Sequence, residues 1–429
     1  MLVRLQARGL SGSGRSAMQR TTLLALLVTL TSPLIAQQPF LRWTTLCDGV
    51  EHTAGLALGD LDRDGDLDLV LANGRHMNEV DWVYSNDGNG SFYAKRPLRS
   101  NVGANADPSY AVALGDLDSD GDLDAVVAND MFAWSYVYHN DGQGNLLSVV
   151  GLGGPRPPLA HRAVALGDFD GDGDLDVVLV GRQQDYVYFN EGAGRRWTEQ
   201  ALGPDGAAGL AVVAADLDGD RDLDIVVANR NEQGSGSSAS GSWGGSKTPT
   251  VVYINDGRGG FSEQRALGTK DNTTIAVGDL DGDGDLDVVT GNWEQPHAVH
   301  LNDGRAGFSG GTSFGAGNER TWSVALGDID LDGDLDVAVG NSDVNWWVDD
   351  LDGKPGPERV GHEARNVPSR IYLNDGKGNL SAGPTFGTGH DDTRPIALGD
   401  VDLDGDLDIV TGNDCQSSRV FFNAIRTRK

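Results

Sequence analysis

Seven stretches of the form D-h-D-x-D-x-D-L-D, with h apolar, punctuate this 429-residue chain. They hold Asp60, Asp62, Asp64, Asp66 and Asp68; Asp116, Asp118, Asp120, Asp122 and Asp124; Asp168, Asp170, Asp172, Asp174 and Asp176; Asp216, Asp218, Asp220, Asp222 and Asp224; Asp279, Asp281, Asp283, Asp285 and Asp287; Asp328, Asp330, Asp332, Asp334 and Asp336; and Asp400, Asp402, Asp404, Asp406 and Asp408. Carboxylates at positions 1, 3 and 5 of a tight turn converge on one point. A glycine at position 6 lets the backbone swing the position-7 carbonyl onto the same point. That is the donor set of a hard cation, so each stretch reads as a calcium loop, up to seven in all. In the first copy Asp60, Asp62, Asp64 and Asp68 would offer side-chain oxygens and Asp66 its backbone oxygen.

An EF-hand needs a bidentate Glu at position 12 and flanking helices. Position 12 here is Leu71, Val127, Leu179, Val227, Thr290, Val339 or Thr411, none of which ligates. Strand-like runs such as Leu69-Val70-Leu71-Ala72 follow instead, so the loop closes at position 9 and joins two strands. Arg221 replaces the position-6 glycine in the fourth copy. A side chain strains the turn there and puts a cation beside the metal, so the site led by Asp216 is expected to bind weakest.

Loop starts recur every 48 to 72 residues, a period that signals an array of supersecondary units. Each period repeats four strand signals. A small-residue run such as Ala111-Val112-Ala113-Leu114 enters the loop, and an apolar run leaves it. A third run such as Tyr136-Val137-Tyr138-His139 leads to an N-D-G-type turn, as at Asn86, Asn140, Asn190, Asn255, Asn302 and Asn374, before a fourth strand. There are six such turns for seven loops, since the chain stops just past Asn423. The segment Phe40 to Leu46 reads as an orphan fourth strand. The expectation is therefore an all-β, seven-bladed β-propeller of four-stranded blades, closed when the N-terminal strand completes blade seven. A β-helix fits less well because its repeats are shorter.

These residues resemble the FG-GAP/VCBS repeat propellers, which include integrin α-subunit heads and many exported bacterial proteins, and the resemblance runs from Phe40 to Asn423. Phe314-Gly315 and Phe386-Gly387 keep the FG pair. Pairs such as Ala72-Asn73 and Gly340-Asn341 stand where the GAP triplet is expected, as in the bacterial branch. The resemblance implies a calcium-bearing propeller that binds a ligand, but integrin-type adhesion does not carry over residue by residue.

The formal net charge is −31; setting aside the 35 loop aspartates leaves +4, so the acidity is local. No basic stripe exists to meet phosphates, which argues against a nucleic-acid partner. Arg4, Arg8, Arg15 and Arg20 precede the apolar run Leu23 to Leu30, with a cleavage site expected after Ala36. This reads as a signal peptide over 1–36, with Met18 an alternative start, followed by a single repeat domain over 37–429. The apolar run is too short to span a membrane, and Thr44 stands where a lipoprotein signal needs an apolar residue before Cys47. The mature protein is expected outside the cytoplasm, extracellular or periplasmic.

Cys47 and Cys415 are the only cysteines, and tracing the strands places both at the closing blade, opposite the calcium loops. A disulfide there would clamp the ends together; two unpaired thiols are the alternative. The same face would carry Trp82, Trp134, Trp293, Trp346 and Trp347, candidate anchors for a glycan or an extracellular protein. Ser342 to Ser369 is the best candidate for a functional loop, and the Gly/Ser stretch Gly234 to Ser246 reads as a surface loop without a role. No nucleophile elbow, H-E-x-x-H or Cys/His cluster appears. A carbohydrate-active enzyme, lyase or hydrolase, is the alternative to a binding module. An acid or His pair near the centre, unshared with any loop, would favour it.

Overall fold

The computed structural model describes residues 40, 42–46, 51–100, 103–104, 106–131, 133–154, 157–206, 208–229, 249–268, 272–342 and 367–424. They fall within one compact unit, Gln38–Lys429. The leader-like segment, Cys47, Trp346, Trp347 and most of both long loops lie outside the described residues.

The chain is all-β and antiparallel, and each repeat supplies the four strands its sequence signals. In repeat three these are His161–Gly167, Asp176–Gly181, Asp185–Asn190 and Trp197–Leu202, hydrogen-bonded in chain order. The second strand of every repeat is buried on both faces, which is why it reads as an unbroken apolar run rather than an alternating one.

The expected closed ring of seven separate four-stranded blades is not what the strands form. The described residues give five four-stranded sheets, two small two-stranded ribbons and one eight-stranded sheet that merges the first and last repeats. The cause is strand length. Asp408–Gln416 and Glu51–Gly59 run nine residues each, and their extra residues meet at Glu51↔Gln416 and His52↔Asp414. The merged sheet stays open, because its outermost strands, Arg42–Thr45 and Ala94–Pro97, do not pair with each other. Arg42–Thr45 pairs instead with Arg419–Phe422, so the N-terminal segment is the fourth strand of the last repeat.

Successive repeats are held together by two recurring contacts. The glycine before each loop faces the position-8 leucine of the next repeat: a Cβ on Gly59 would come within 2.7 Å of Leu123, one on Gly327 within 2.6 Å of Leu407, and one on Gly399 within 2.8 Å of Leu67. A Cβ at these positions requires the facing leucine to shift. In the fourth repeat Ala215 takes this place and packs in one apolar cluster with Leu286.

The second contact is a belt of buried asparagines from the N-D-G turns. Asn140 Nδ2 donates to Leu123 O of its own loop (3.0 Å) and to Leu61 O of the preceding repeat (2.8 Å). Asn190, Asn255, Asn302 and Asn374 repeat the pattern, and Asn86 reaches back to Val401 O at 2.8 Å. Asn423 supplies the seventh member: its Nδ2 donates to Ile329 O at 2.9 Å. Only six N-D-G turns are visible in the sequence, yet all seven asparagines are in place.

In six of the seven repeats a side chain at or just before the start of the third strand caps the backbone N–H near the end of the second strand. Ser135 Oγ accepts from Asn129 N, and Ser369 Oγ from Asn341 N, both at 3.1 Å. In repeat three Asp185 does this, accepting from Gly181 N at 2.9 Å while fully buried. Burial pushes the Asp185 carboxyl up to about 8. The folded state thus holds a proton that the unfolded chain, titrating near ~4, has released. The stability this group contributes is complete below ~4 and is lost as pH rises through about 8. Replacing Asp185 with Ser, the residue other repeats use, should remove this slope. Melting curves from pH 5 to 8 should show the parent losing up to ~1.4 kcal/mol per pH unit relative to Asp185→Ser. Parallel curves would show that Asp185 stays ionised.

Candidate functional site

Each aspartate loop is organised by its own backbone. In the first, Asp60 accepts from Asp64 N (3.2 Å) and Gly65 N (3.1 Å), and Asp66 N donates to Asp64 Oδ1 (3.2 Å). Asp68 is buried and accepts from Leu61 N and Asn86 N, both at 3.0 Å. Thus position 9 ties the loop to the N-D-G turn and to the asparagine belt. Gly65 takes a φ of 98°, as the position-6 glycine requires. Position 4 is left-handed too, which the sequence conceals: Arg63, Ser119, Leu331 and Leu403 hold φ between 56° and 62°. Arg221 adopts the glycine conformation at φ 80°, and its N–H donates to Asp216 Oδ2 at 3.0 Å. The fourth loop therefore keeps the shape of the others at the expense of backbone strain.

These loops bring carboxylates together as metal ligands must be. One oxygen from each of Asp60, Asp62 and Asp68 lies within 4.8 Å of the others, and the same holds for Asp168, Asp170 and Asp176 and for Asp116, Asp118 and Asp120. The position-3 oxygens Oδ1 of Asp62, Asp118, Asp281, Asp330 and Asp402 are buried and accept no hydrogen bond. Burial, together with the Asp62 and Asp64 charges, pushes the Asp68 carboxyl up to about 6; burial likewise takes Asp176 and Asp408 to about 7. Orphaned, crowded oxygens fit a divalent ion, and an all-oxygen set suits a hard one. In the second loop His139 joins the group, with Nδ1 3.2 Å from Asp124 and 3.5 Å from Asp118.

The three described aromatic residues singled out by sequence have separate neighbours. Trp82 begins a third strand rather than lying in a loop, and Lys95 Nζ sits 4.1 Å from its ring centre. Trp134 packs against Gly153, where a Cβ would come within 2.8 Å of its ring. Trp293 makes an edge contact with Trp322 at 5.1 Å. Each sits in a different repeat. Cys415 is half-buried at φ 57°, and its proposed partner Cys47 lies outside the described residues.

What sequence reasoning missed is a second constellation at the opposite ends of the first strands. These seven strands pack side by side, the last against the first, and enclose one cavity of ≈ 460 Å³. Every first strand carries a register shift six residues before its loop, at Ala54, Tyr110, Arg162, Leu210, Thr273, Trp322 and Arg394. All seven of these residues line the cavity. A β-bulge re-aims one side chain, and here it does so in every repeat. Aligning the repeats on their loops and reading the column six places upstream would have found Tyr110, Arg162, Trp322 and Arg394 in register.

Around that end of the cavity, arginines meet buried acids. Arg75 Nη1 lies 2.9 Å from Asp414 Oδ2, and Arg394 Nη2 lies 3.1 Å from Asp392 and 3.3 Å from Asp414. Arg162 and Arg182 each place Nε 3.3 Å from Asp130. The Arg394 guanidinium stacks 4.3 Å from the Trp322 ring centre. Asp414 and Asp130 are buried, which opposes ionisation, but Arg394 and Arg75 hold Asp414, and His76 with Arg162 and Arg182 holds Asp130, below the usual carboxylate range.

Among the described residues no helix is long and apolar enough to cross a membrane. Among solved structures the chain is similar to BBS1N in complex with ARL6DN. For the lead-soaked crystal the identity is 12% and the TM-score 0.53, over 91% of this chain and 98% of that one; for the mercury-soaked crystal the values are 12%, 0.55, 90% and 98%. An Agrocybe aegerita lectin that recognises non-reducing terminal N-acetylglucosamine matches at 20% identity and TM-score 0.49, over 77% of this chain and 79% of that one. No curated protein matches the sequence. The family model described as FG-GAP-like repeat matches residues 60–127, 116–179, 168–227, 239–290 and 279–339, four of the five matches opening on the first aspartate of a loop. With more than half its length matched and its loops built as the repeat requires, the chain belongs to the FG-GAP-like repeat family.

Proposed function

We propose that this chain is an exported, calcium-stabilised binding module that takes a glycan or an extracellular protein on the face opposite its aspartate loops. Carrying this reading is the chemical split along the seven first strands. Their C-terminal ends run into all-aspartate loops, while their N-terminal ends open on arginines, aromatics and a shared cavity. Rigid strands between the two ends let bound cations fix a face they do not touch. Calcium is the ion favoured, because flexible loops of carboxylate and carbonyl oxygens suit its larger, irregular shell. A protein partner is in keeping with BBS1N, which shares the fold and was crystallised with ARL6DN.

Asp392 and Asp414 are acids beside the cavity that belong to no loop, which favours the enzyme as a second reading. A panel of glycans, polysaccharides and extracellular matrix proteins, scored for binding and turnover with and without calcium, separates the two. Saturable binding without turnover, lost in chelator, is the expected result. Turnover of any polysaccharide would replace the binding module with the enzyme, and silence in both assays would remove the proposal.

A further inference from the structure

We propose that the cavity enclosed by the seven first strands is a site for a small ligand bearing an oxyanion, anchored by Arg394 with Arg75 beside it. This rests on the reading of that face as the ligand face and specifies the chemistry it accepts. Arg394 lines the cavity and is only 6% exposed. Its Nη2 is taken by Asp392 and Asp414, but its Nε and Nη1 are buried and make no hydrogen bond. Arg75, also on the cavity wall, has the same deficit at Nε. A guanidinium has five N–H donors and no way to discharge, so buried, unfilled donors call for an acceptor.

An oxyanion is the acceptor that fits. The four arginines Arg75, Arg162, Arg182 and Arg394 face three carboxylates, those of Asp130, Asp392 and Asp414. His52 and Glu79, the next charged pair, bond to each other at 2.5 Å and leave that balance unchanged. One positive charge is left over where water is scarce, so a charge-assisted hydrogen bond to an anion is strong there. The buried acids and Trp322 hold the arginines in place before a ligand arrives, which reduces the ordering cost of binding.

The rest of the cavity sets the body of the ligand. Beyond the arginines its walls combine apolar residues such as Val112, Val212, Ile275 and Val324 with Thr273, Thr274 and Ser323. A cavity of ≈ 460 Å³ exceeds the needs of a bare inorganic ion. A carboxylate on a ring-sized body satisfies both ends.

The test is calorimetric titration of the calcium-loaded protein at low salt with benzoate, D-glucuronate, inorganic phosphate and, as the neutral control, glucose. At least one carboxylate should bind and glucose should not. Benzoate against glucuronate tells an apolar body from an acidic sugar, and phosphate tighter than both would overturn the carboxylate assignment. Arg394→Met should weaken binding by about 10- to 100-fold while the calcium-dependent melt persists. If that variant does not fold, phenylglyoxal labelling of the parent decides: bound ligand should slow modification of Arg394. No anion binding, equal binding of glucose, or neither a loss in Arg394→Met nor protection of Arg394 would overturn the proposal. A panel ligand that binds Arg394→Met as well as the parent would leave the binding face standing and remove only this site.

Discussion

Excess EGTA is expected to lower the melting temperature of the protein, by up to about 12 °C. Loops of the extracellular class bind with dissociation constants of ~10⁻⁴ to 10⁻³ M, so millimolar calcium sits about tenfold above the tighter limit and stabilises by ~1.4 kcal/mol per site. Seven sites give ~10 kcal/mol. With an unfolding entropy of ~2.1 cal/mol/K per residue over the Gln38–Lys429 unit, that is a shift of about 12 °C. The chelated protein should also be more stable at pH 5 than at pH 8. Folding raises carboxyls such as Asp68 and Asp176 above their unfolded values, so their protonation favours the fold, and that contribution fades as pH rises through about 6 to 7. Scanning calorimetry with and without calcium measures both effects. An unchanged melt in EGTA would mean that the loops hold their shape by backbone hydrogen bonds alone.

Asn255→Ala is expected to cost ~2–4 kcal/mol even in saturating calcium. Its Nδ2 donates to Phe169 O at 2.9 Å and to Leu223 O at 3.1 Å, joining loops three and four in a buried position. Truncation leaves Leu223 O unmet, at about 1–3 kcal/mol for a buried acceptor, and takes from Phe169 O one of two donors, the other being Gly259 N at 2.9 Å, at about 0.5–1.5 kcal/mol for the lost bond. The melt should fall by roughly 3–5 °C on the entropy scale just used. Asn89, exposed on the turn of the first repeat with its side chain bonded only within that turn, is the control, with an expected change within ~0.5 kcal/mol for Asn89→Ala. Equal effects at the two sites would show that the asparagine belt is not what joins the loops.

The repeats, the strand order within each and the loops were legible because their signals are local. Five aspartates in nine residues mark a candidate cation loop, and an apolar run between two turns reads as a buried strand. The partnership of Arg42–Thr45 with Arg419–Phe422 was also legible, since an unmatched strand at each end needs an edge to cover. What each aromatic packs against was not. Trp82, Trp134 and Trp293 were chosen by residue type, and their neighbours, Lys95, Gly153 and Trp322, come from elsewhere in the chain.

Sequence by itself determined the class, the repeat and the positions of the aspartate loops, because each is written within nine to fifty residues and hydrophobic period and carboxylate spacing act over that range. Tertiary structure alone decided how the first and last repeats join, where three additional residues on Asp408–Gln416 turn two sheets into one. It also decided which side chains share a cavity. Arg75, Arg394 and Asp414 are up to 339 positions apart, and a one-residue bulge in each first strand turns its side chain toward the others. A bulge leaves no mark in composition or period, so its effect becomes visible only when the seven strands stand side by side.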